Sequence, residues 1–304
     1  MKNLLLAWFA SLLMSTPGLA VTPVTSTPLS RTEIGHFVIE VMINEQGPFT
    51  VAVDTAAQRT ALNQILVDAL SLEPIEGMSA RAQGASGTAS IEFYELDSLD
   101  VSGVVYSEFV AMGPVAGHSP DFGDTVIHGV LGFDFLQQFN IEFSQSEGVF
   151  RLYPHGHDFS EITAEWSHAD IRPGIAGFMM TDVTINGVSI PAVLDTGASR
   201  SLINWNAAQA AGYVADDERV TPDIRPIRGF TGAETESRRV TDAQVVWGDA
   251  RLGEQTISIS DLSVFNALRM ADGPAMIAGN PLFGDRDFIV DYSANRLLIA
   301  PETP

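Results

Sequence analysis

The sequence predicts an all-β protein that is built from two similar lobes related by a pseudo-two-fold axis. One order of motifs occurs twice along the chain, with equivalent acids at Asp54 and Asp195. The repeated segments alternate apolar and polar residues with the period of a β-strand. The 304 residues suffice for two lobes of ~125–130 residues, which is an ordinary domain size.

The composition excludes several functional classes. The chain has 16 Lys+Arg against 38 Asp+Glu, a formal net charge of −22, which argues against binding nucleic acid or an anionic membrane. It has no cysteine, which removes disulfide frameworks, thiolate nucleophiles and cysteine-ligated zinc. Phosphate-binding loops and dinucleotide fingerprints are missing from the sequence as well. We therefore expect no cofactor and no metal.

Residues 1–20 have the pattern of a secretory signal peptide. Lys2 precedes an apolar run over 4–14, and small residues follow at 18–20. Eleven helical residues rise only ~17 Å, about half of what a membrane span needs. We expect an exported, soluble protein, periplasmic or secreted, with no integral membrane segment after signal removal. Residues 21–32 are rich in Ser, Thr and Pro and are predicted to form an extended lead-in.

The repeat divides the remaining chain into a first lobe at 33–153 and a second lobe at 174–304. The polar segment 154–173 breaks the pattern and is predicted to connect the lobes. Each lobe opens with two strands, and the second strand runs into an acid. Four features follow in each lobe: a short helix or loop, a hairpin with two glycines, an aliphatic run broken by glycine, and a closing strand pair. In the first lobe they lie, in that order, at 64–72, 83–87, 126–136 and 139–153. In the second lobe they lie at 205–211, 228–232, 275–283 and 288–300.

The two acids carry the predicted chemistry. An isolated Asp-Thr is more often a cap or turn, but a two-fold axis brings equivalent residues of the two lobes together. Two carboxylates at such range share one proton. The ionised member can then take a proton from water while the protonated member polarises a carbonyl. This pattern predicts peptide hydrolysis without metal, serine or cysteine.

The segments Asp54-Thr-Ala-Ala57 and Asp195-Thr-Gly-Ala198 resemble the active-site signature of pepsin/retropepsin-like aspartic proteases. Together with the repeat, they resemble an exported bacterial type with two tandem retropepsin-like halves. The resemblance implies a bilobal, pepsin-like aspartic protease fold, made of two pseudo-two-fold-related retropepsin-like lobes. It also implies a monomeric aspartic endopeptidase that binds an extended peptide or protein substrate between its lobes.

The resemblance further implies the roles of individual residues. Asp54 and Asp195 would be the catalytic dyad. Thr55 and Thr196 would bond across the axis, and the backbone N–H groups of Ala56 and Gly197 would support the carboxylates. The flap and substrate-binding residues would be Gly84, Ala85, Ser86, Gly87, Gly229, Phe230, Thr231 and Gly232.

One departure from the family pattern keeps a second function open. Ala56 stands where the family has glycine. If this position needs a positive φ, alanine costs about 1 kcal/mol; its methyl could instead crowd the water or a substrate. The alternatives are therefore a catalytically weak or inactive peptide-binding protein on the same scaffold, or lobes that each pair with another chain.

A second departure concerns acidity. Ala57 and Ala198 stand where pepsins carry a hydroxyl group that helps to stabilise an ionised aspartate. The dyad should therefore be less acidic than that of pepsin, and full activity near pH 2 would contradict this.

Three further features have a structural and a functional interpretation. Asp134 could face the cleft, although a turn or cap is expected. Arg59 and Arg200 could meet substrate, although ion pairs are expected. His155 and His157 could be half of a metal site, although a solvated loop between the lobes is expected.

Overall fold

The computed structural model describes residues 23–85, 87–115, 125–174, 177–229 and 233–302. The predicted signal peptide and the first two residues of the lead-in lie outside the described residues, as do the predicted flap residues Ser86, Phe230, Thr231 and Gly232. Within the described part, no helix has the length and apolar character needed to cross a membrane. The elements below confirm the predicted all-β architecture of two similar lobes.

In chain order, the first half forms β1 (Thr25–Pro28), β2 (Ser30–Arg31), β3 (Phe37–Ile43), β4 (Gln46–Val53), β5 (Ala61–Asn63), α1 (Gln64–Ala69), β6 (Pro74–Gly84), β7 (Gly87–Val101), β8 (Val104–Val115), β9 (Gly129–Leu131), α2 (Phe133–Leu136), β10 (Asn140–Ser144) and β11 (Val149–Tyr153). The second half forms β12 (Ser167–Asp170), β13 (Arg172–Pro173), β14 (Met179–Ile185), β15 (Val188–Leu194), β16 (Leu202–Ile203), α3 (Trp205–Ala210), β17 (Thr221–Pro222), β18 (Ile227–Arg228), β19 (Glu234–Thr235), β20 (Arg238–Trp247), β21 (Ala250–Ile259), α4 (Ser263–Ala267), β22 (Met276–Ala278), a 3₁₀ helix (Asn280–Leu282), β23 (Phe288–Asp291) and β24 (Arg296–Ile299).

The main sheets of the two lobes have the same topology. The first lobe has the order β2-β3-β4-β9-β5-β8-β7-β6, and the second has β13-β14-β15-β22-β16-β21-β20-β17. The parallel pair β4–β9 in the first lobe corresponds to the parallel pair β15–β22 in the second. Each lobe therefore ends a buried central strand immediately before its acid.

A third sheet joins the lobes and is called the inter-lobe sheet here. Its six strands have the order β1-β11-β10-β23-β24-β12, so strands of the first lobe lie beside strands of the second. At the junction, Phe143 pairs with Phe288, and their rings stack with centroids 4.5 Å apart. Phe37 and Phe283 pack against this pair, at centroid distances of 5.7 and 3.7 Å from Phe288. This aromatic burial stabilises the two lobes as one core.

The segment predicted to connect the lobes is partly a strand. Within 154–173, β12 pairs with β24 at one edge of the inter-lobe sheet, and β13 pairs with β14. In β12 only Ala169 is buried and His168 is exposed. An edge strand tolerates such polar residues because one side faces solvent, and this is why the composition did not indicate a strand.

The short helices after each acid have a local cause. Asn63 and Asn204 precede α1 and α3, and their side chains accept the backbone N–H groups of Leu66 and Ala207 at 2.8 and 2.9 Å. Asparagine is among the preferred residues at this cap position. The segments predicted as a short helix or loop at 64–72 and 205–211 are helices that begin at these caps, whereas α4 was not predicted.

Candidate active site

Two equivalent loops, residues 54–57 and 195–198, meet between the lobes and are called the acid loops here. Each loop begins where an apolar strand ends, and its first backbone N–H donates to the neighbouring strand. Asp54 donates to the carbonyl of Leu131 at 3.1 Å, and Asp195 donates to the carbonyl of Ala278 at 3.0 Å. The hydrophobic runs before the acids thus bury the strands and leave both carboxyl groups at the cleft floor.

Thr55 and Thr196 fasten the acid loops to each other. The backbone N–H of Thr55 donates to the hydroxyl of Thr196 at 3.0 Å, and the reverse bond measures 3.1 Å. Each hydroxyl then donates to the opposite strand, to the carbonyls of Leu194 at 2.9 Å and Val53 at 2.8 Å. All four bonds cross between the lobes. The structure therefore brings both acids into one cleft of a single chain.

Asp54 lies in the environment that better supports a carboxylate. Its Oδ1 accepts the backbone N–H groups of Ala56 at 2.8 Å and Ala57 at 2.9 Å. Burial raises the pKa of Asp54, and these hydrogen bonds, with others from Asp195 and Gly197, oppose the rise. Backbone N–H donors favour the charged form of the group that they bind.

Asp195 lies in the environment that better supports a neutral acid. Burial, and then the charge of Asp54, raise its pKa well above the usual range, although backbone hydrogen bonds with Gly197 and Ala198 partly oppose the rise. Its Oδ1 is buried, and no hydrogen-bond partner reaches it among the described residues. An unpartnered oxygen in such a place disfavours a full negative charge. The two surroundings thus favour the anion at Asp54 and the shared proton at Asp195.

Gly197 and Ala56 occupy equivalent positions with different spatial constraints. A Cβ added to Gly197 would lie 2.2 Å from Cγ of Asp54, so only glycine fits there. Neither residue has a positive φ. The backbone strain considered for Ala56 is therefore absent, and glycine is required in the second lobe for space.

Near each acid loop, a side-chain hydroxyl accepts the backbone N–H of the glycine that follows the neighbouring strand, β9 or β22. In the first lobe Asp134 accepts the N–H of Thr60 at 2.9 Å and its hydroxyl at 2.8 Å, and that hydroxyl accepts the N–H of Gly132 at 3.1 Å. In the second lobe Ser201 accepts the N–H of Gly279 at 3.1 Å. Asp134 is thus satisfied by hydrogen bonds within the fold, as expected for it, although it also lines the cleft.

The cleft between the lobes has a volume of about 1090 Å³. Asp54 and Asp195 line it, together with Ala56 and Gly197. Of the predicted flap residues, Gly84, Ala85 and Gly229 line the cleft. Gly87 pairs with Gly84 at the turn of the β6–β7 hairpin but is not a lining residue.

The β6–β7 hairpin, called the first hairpin here, crosses the cleft and contacts α4. The amide of Gln83 donates to the hydroxyl of Ser263 at 3.0 Å, and that hydroxyl donates to the carbonyl of Ala85 at 3.3 Å. Ala85 also packs on the second-lobe cluster that contains Leu262 and Phe265. The repeat could not reveal this contact, because α4 has no counterpart in the motif order.

The two arginines considered as substrate contacts, Arg59 and Arg200, have different partners in the structure. Arg200 donates to the carbonyl of Arg225 at 2.7 Å and pairs with Asp223 at 3.4 Å, while the guanidinium of Arg59 lies over the ring of Phe93. Both arginines line the cleft.

The two histidines considered as half of a metal site lie in the segment between the lobes. The His157 ring packs against Tyr153 and Phe159. Across the described residues, no group of three or more His, Asp or Glu could hold a metal ion.

His36 gives the fold a pH-dependent stability. Its side chain is 8% exposed and lines the cleft. Burial lowers its pKa from 6.5 to about 4, and a backbone hydrogen bond with Gly197 partly opposes this. Between these values the unfolded chain binds a proton that the folded chain does not, so unfolding takes up a proton. We expect the folded state to lose up to about 3 kcal/mol as the pH falls from 6.5 to 4.

Chemical denaturation of the wild type and of His36→Gln measures this contribution. The difference between their unfolding free energies should change between pH 6.5 and 4 and be constant outside that window. Subtracting the unfolding free energy of the variant from that of the wild type removes the contribution of all the other titrating groups. A difference that is constant across the window would show that His36 does not titrate as its burial implies.

Comparison with known proteins adds two findings. A model of the family described as aspartyl protease matches two tandem stretches, residues 39–135 and 181–279. The solved structure of basic 7S globulin from soybean is similar, with a TM-score of 0.48 and 11% identity, over 91% of this chain and 95% of that chain. No curated protein sequence matches the chain significantly.

Proposed function

Since this chain belongs to the aspartyl protease family, we propose that it is an aspartic endopeptidase with the dyad Asp54 and Asp195. One observation carries the proposal. The two acids meet across the lobes in unequal surroundings, with two N–H donors on Oδ1 of Asp54 and a buried, unpartnered Oδ1 on Asp195. Pairs of titratable groups whose surroundings push their pKa values apart are typical of acid–base catalysis.

The proposed reaction uses water as the nucleophile. Asp54, the ionised member, takes a proton from the water as its oxygen attacks the peptide carbonyl carbon. Asp195 gives its proton to the carbonyl oxygen, so that a neutral gem-diol forms. Asp54 then passes the gained proton to the amide nitrogen while a diol hydroxyl returns its proton to Asp195. The C–N bond breaks, leaving a carboxylic acid and an amine, with the dyad restored.

The cleft walls support an extended substrate with apolar side chains at the scissile bond. Ile91 and Met112 line the first-lobe side, and Leu202 and Ile277 line the second-lobe side. The first hairpin lies over the cleft and can supply main-chain hydrogen bonds to a strand-like peptide. Export to the periplasm or the medium belongs to the same proposal and rests on the sequence of residues 1–20 alone.

Peptide-library digestion by the purified protein between pH 2 and 7 tests the function. We expect internal cleavage that is blocked by a statine-type inhibitor and is unaffected by serine- or cysteine-directed reagents and chelators. The rate should fall as the pH drops through the raised pKa of Asp54, because the protonated acid cannot accept a proton from water. Full activity at pH 2 would contradict the raised pKa of Asp54.

A peptide-binding protein without turnover is the second candidate. The methyl of Ala56 favours it, because the pseudo-two-fold axis directs this position toward Asp195, as Gly197 faces Asp54. Calorimetric binding of statine-type and library peptides, with no cleavage at any pH, would support this candidate and contradict the protease.

A further inference from the structure

The cleft is rich in positive charge although the chain is strongly acidic. The chain has 16 basic against 38 acidic residues, and 15 of the basic residues are arginines. A third of these arginines line the cleft, namely Arg59, Arg81, Arg200, Arg225 and Arg228. The acidic lining residues are Asp54, Asp195 and Asp134. A lone arginine at a cleft edge would be unremarkable, but this concentration reverses the charge balance of the chain.

The acids of the cleft do not neutralise these arginines. Asp54 and Asp195 share one proton and together carry one charge. Asp134 already accepts three hydrogen bonds, from the N–H and hydroxyl groups of Thr60 and the N–H of Phe135. The lining therefore has five arginines against at most two carboxylate charges.

Three of the arginines are available for a ligand. Arg200 pairs with Asp223, and Arg228 pairs with Glu234. Within the described part of the chain, Arg59, Arg81 and Arg225 have no acidic partner within 4.0 Å, and all three are exposed.

The direct contacts of Arg59 and Arg81 leave their charge in place, although Arg59 also interacts electrostatically with Asp134 beyond ion-pair distance. Arg59 lies over the ring of Phe93, and Arg81 donates to the hydroxyl of Thr88 at 2.8 Å. Both partners are uncharged. A guanidinium offers a planar fork of donors that fits a carboxylate in a bidentate manner.

The arginines lie on both sides of the dyad. Arg59 follows the first acid loop, and Arg81 lies on β6 of the first hairpin. Arg225 precedes β18 in the second lobe. Apolar side chains also line both sides of the cleft, as described above. A cleft lined by one sign of charge between low-dielectric walls concentrates ligands of the opposite sign.

We propose that the cleft selects acidic polypeptide segments, with Asp or Glu side chains on both sides of an apolar pair at the scissile bond. This inference rests on the proposed endopeptidase function and names its substrate class. Arg59, Arg81 and Arg225 are the residues that set the preference, and the apolar walls hold the side chains next to the cleaved bond.

Matched peptides test the preference at pH 6, where substrate carboxylates are ionised. One series keeps the same apolar pair and carries flanking Glu, Gln or Lys. We expect kcat/KM to fall about fivefold for each ion pair lost between the Glu and Gln peptides, mainly through KM, and further for Lys. The Glu preference should disappear below about pH 4, where substrate carboxylates become neutral.

Arginine variants assign the preference to the cleft. Arg81→Gln and Arg225→Gln should each reduce the Glu/Gln ratio of kcat/KM, whatever their effect on cleavage of the Gln peptide itself. Arg251→Gln is the matched control, because Arg251 is exposed on β21 and outside the cleft lining. Equal kcat/KM for Glu, Gln and Lys peptides would overturn the inference while leaving the endopeptidase in place.

A binding assay separates the two proposals. Fluorescence anisotropy with labelled Glu and Gln peptides on Asp195→Asn measures selection without turnover. Tighter binding of the Glu peptide, with no cleavage of either peptide by the wild type, would support the acidic preference and contradict the protease. Equal binding of both peptides would overturn the preference whether or not the wild type cleaves them.

Discussion

Replacing Asp195 by Asn will abolish peptide hydrolysis and at the same time raise the free energy of unfolding at neutral pH. The amide cannot release a proton to the substrate, and general acid–base catalysis contributes about 10²–10⁴-fold, so we expect kcat to fall by at least ~10³-fold. When both properties are measured on the same preparation, activity should fall while the free energy of unfolding rises. A structural role alone would lower both stability and activity.

The stability gain follows from the raised pKa of Asp195. A carboxyl group whose folded pKa is raised keeps its proton where the unfolded chain has lost it. The protein therefore loses stability as the pH rises from the ordinary value of aspartate through the folded pKa. Asparagine has no such proton to lose, so the variant should gain about 1–2 kcal/mol at pH 7 and little below pH 4.

Two companion variants make this result specific. Asp54→Asn should lose activity equally but gain less stability, because Oδ1 of Asp54 already accepts two backbone N–H groups. Asp216→Asn, at an exposed acid outside the cleft lining, should change neither property. Retained hydrolysis in either dyad variant would refute the assignment of the dyad.

Exchanging the third residue of the acid loops will have opposite effects in the two lobes. Gly197→Ala should lower kcat/KM by at least ~10²-fold, because its Cβ would lie 2.2 Å from Cγ of Asp54 and must displace that carboxyl group. A displacement of about 1 Å at a reacting group costs catalysis of this order. Ala56→Gly should retain or increase kcat/KM.

Steady-state kinetics and thermal unfolding of the two variants decide this prediction. Ala56→Gly should lower the free energy of unfolding by about 0.4–1 kcal/mol, because glycine has more freedom in the unfolded chain. If the wild type binds peptides without cleaving them and Ala56→Gly restores cleavage, the methyl is the cause of inactivity. Normal activity of Gly197→Ala would show that the carboxyl of Asp54 has room that its surroundings do not indicate.

The sequence predicts the parts of this molecule that are repeated. The duplicated order of strands, the placement of Asp54 and Asp195 and the short helical segments near them follow from local patterns that occur once in each lobe. The reciprocal bonds of Thr55 and Thr196 are geometrically possible only because that duplication places the two loops on one axis.

The parts that break the repeat could not be predicted. The strand β12 has the polar sequence of a connector because it lies at a sheet edge. The contact of Ser263 with the first hairpin joins residues about 180 positions apart, and nothing local indicates it. The concentration of arginines in the cleft likewise depends on tertiary structure, since Arg81 and Arg225 are distant in sequence.

The inter-lobe sheet also determines when the chain can finish folding during its synthesis. Strand β10 has β11 on one side, but its other neighbour, β23, is separated from it by most of the second lobe. At ribosomal rates of about 5–20 residues per second, β23 follows β10 after on the order of ten seconds. Until then the first lobe presents an unpaired edge that bears Phe143, the kind of surface to which other nascent strands bind. The same strands that make two lobes into one enzyme-like body therefore postpone its completion until the last residues emerge.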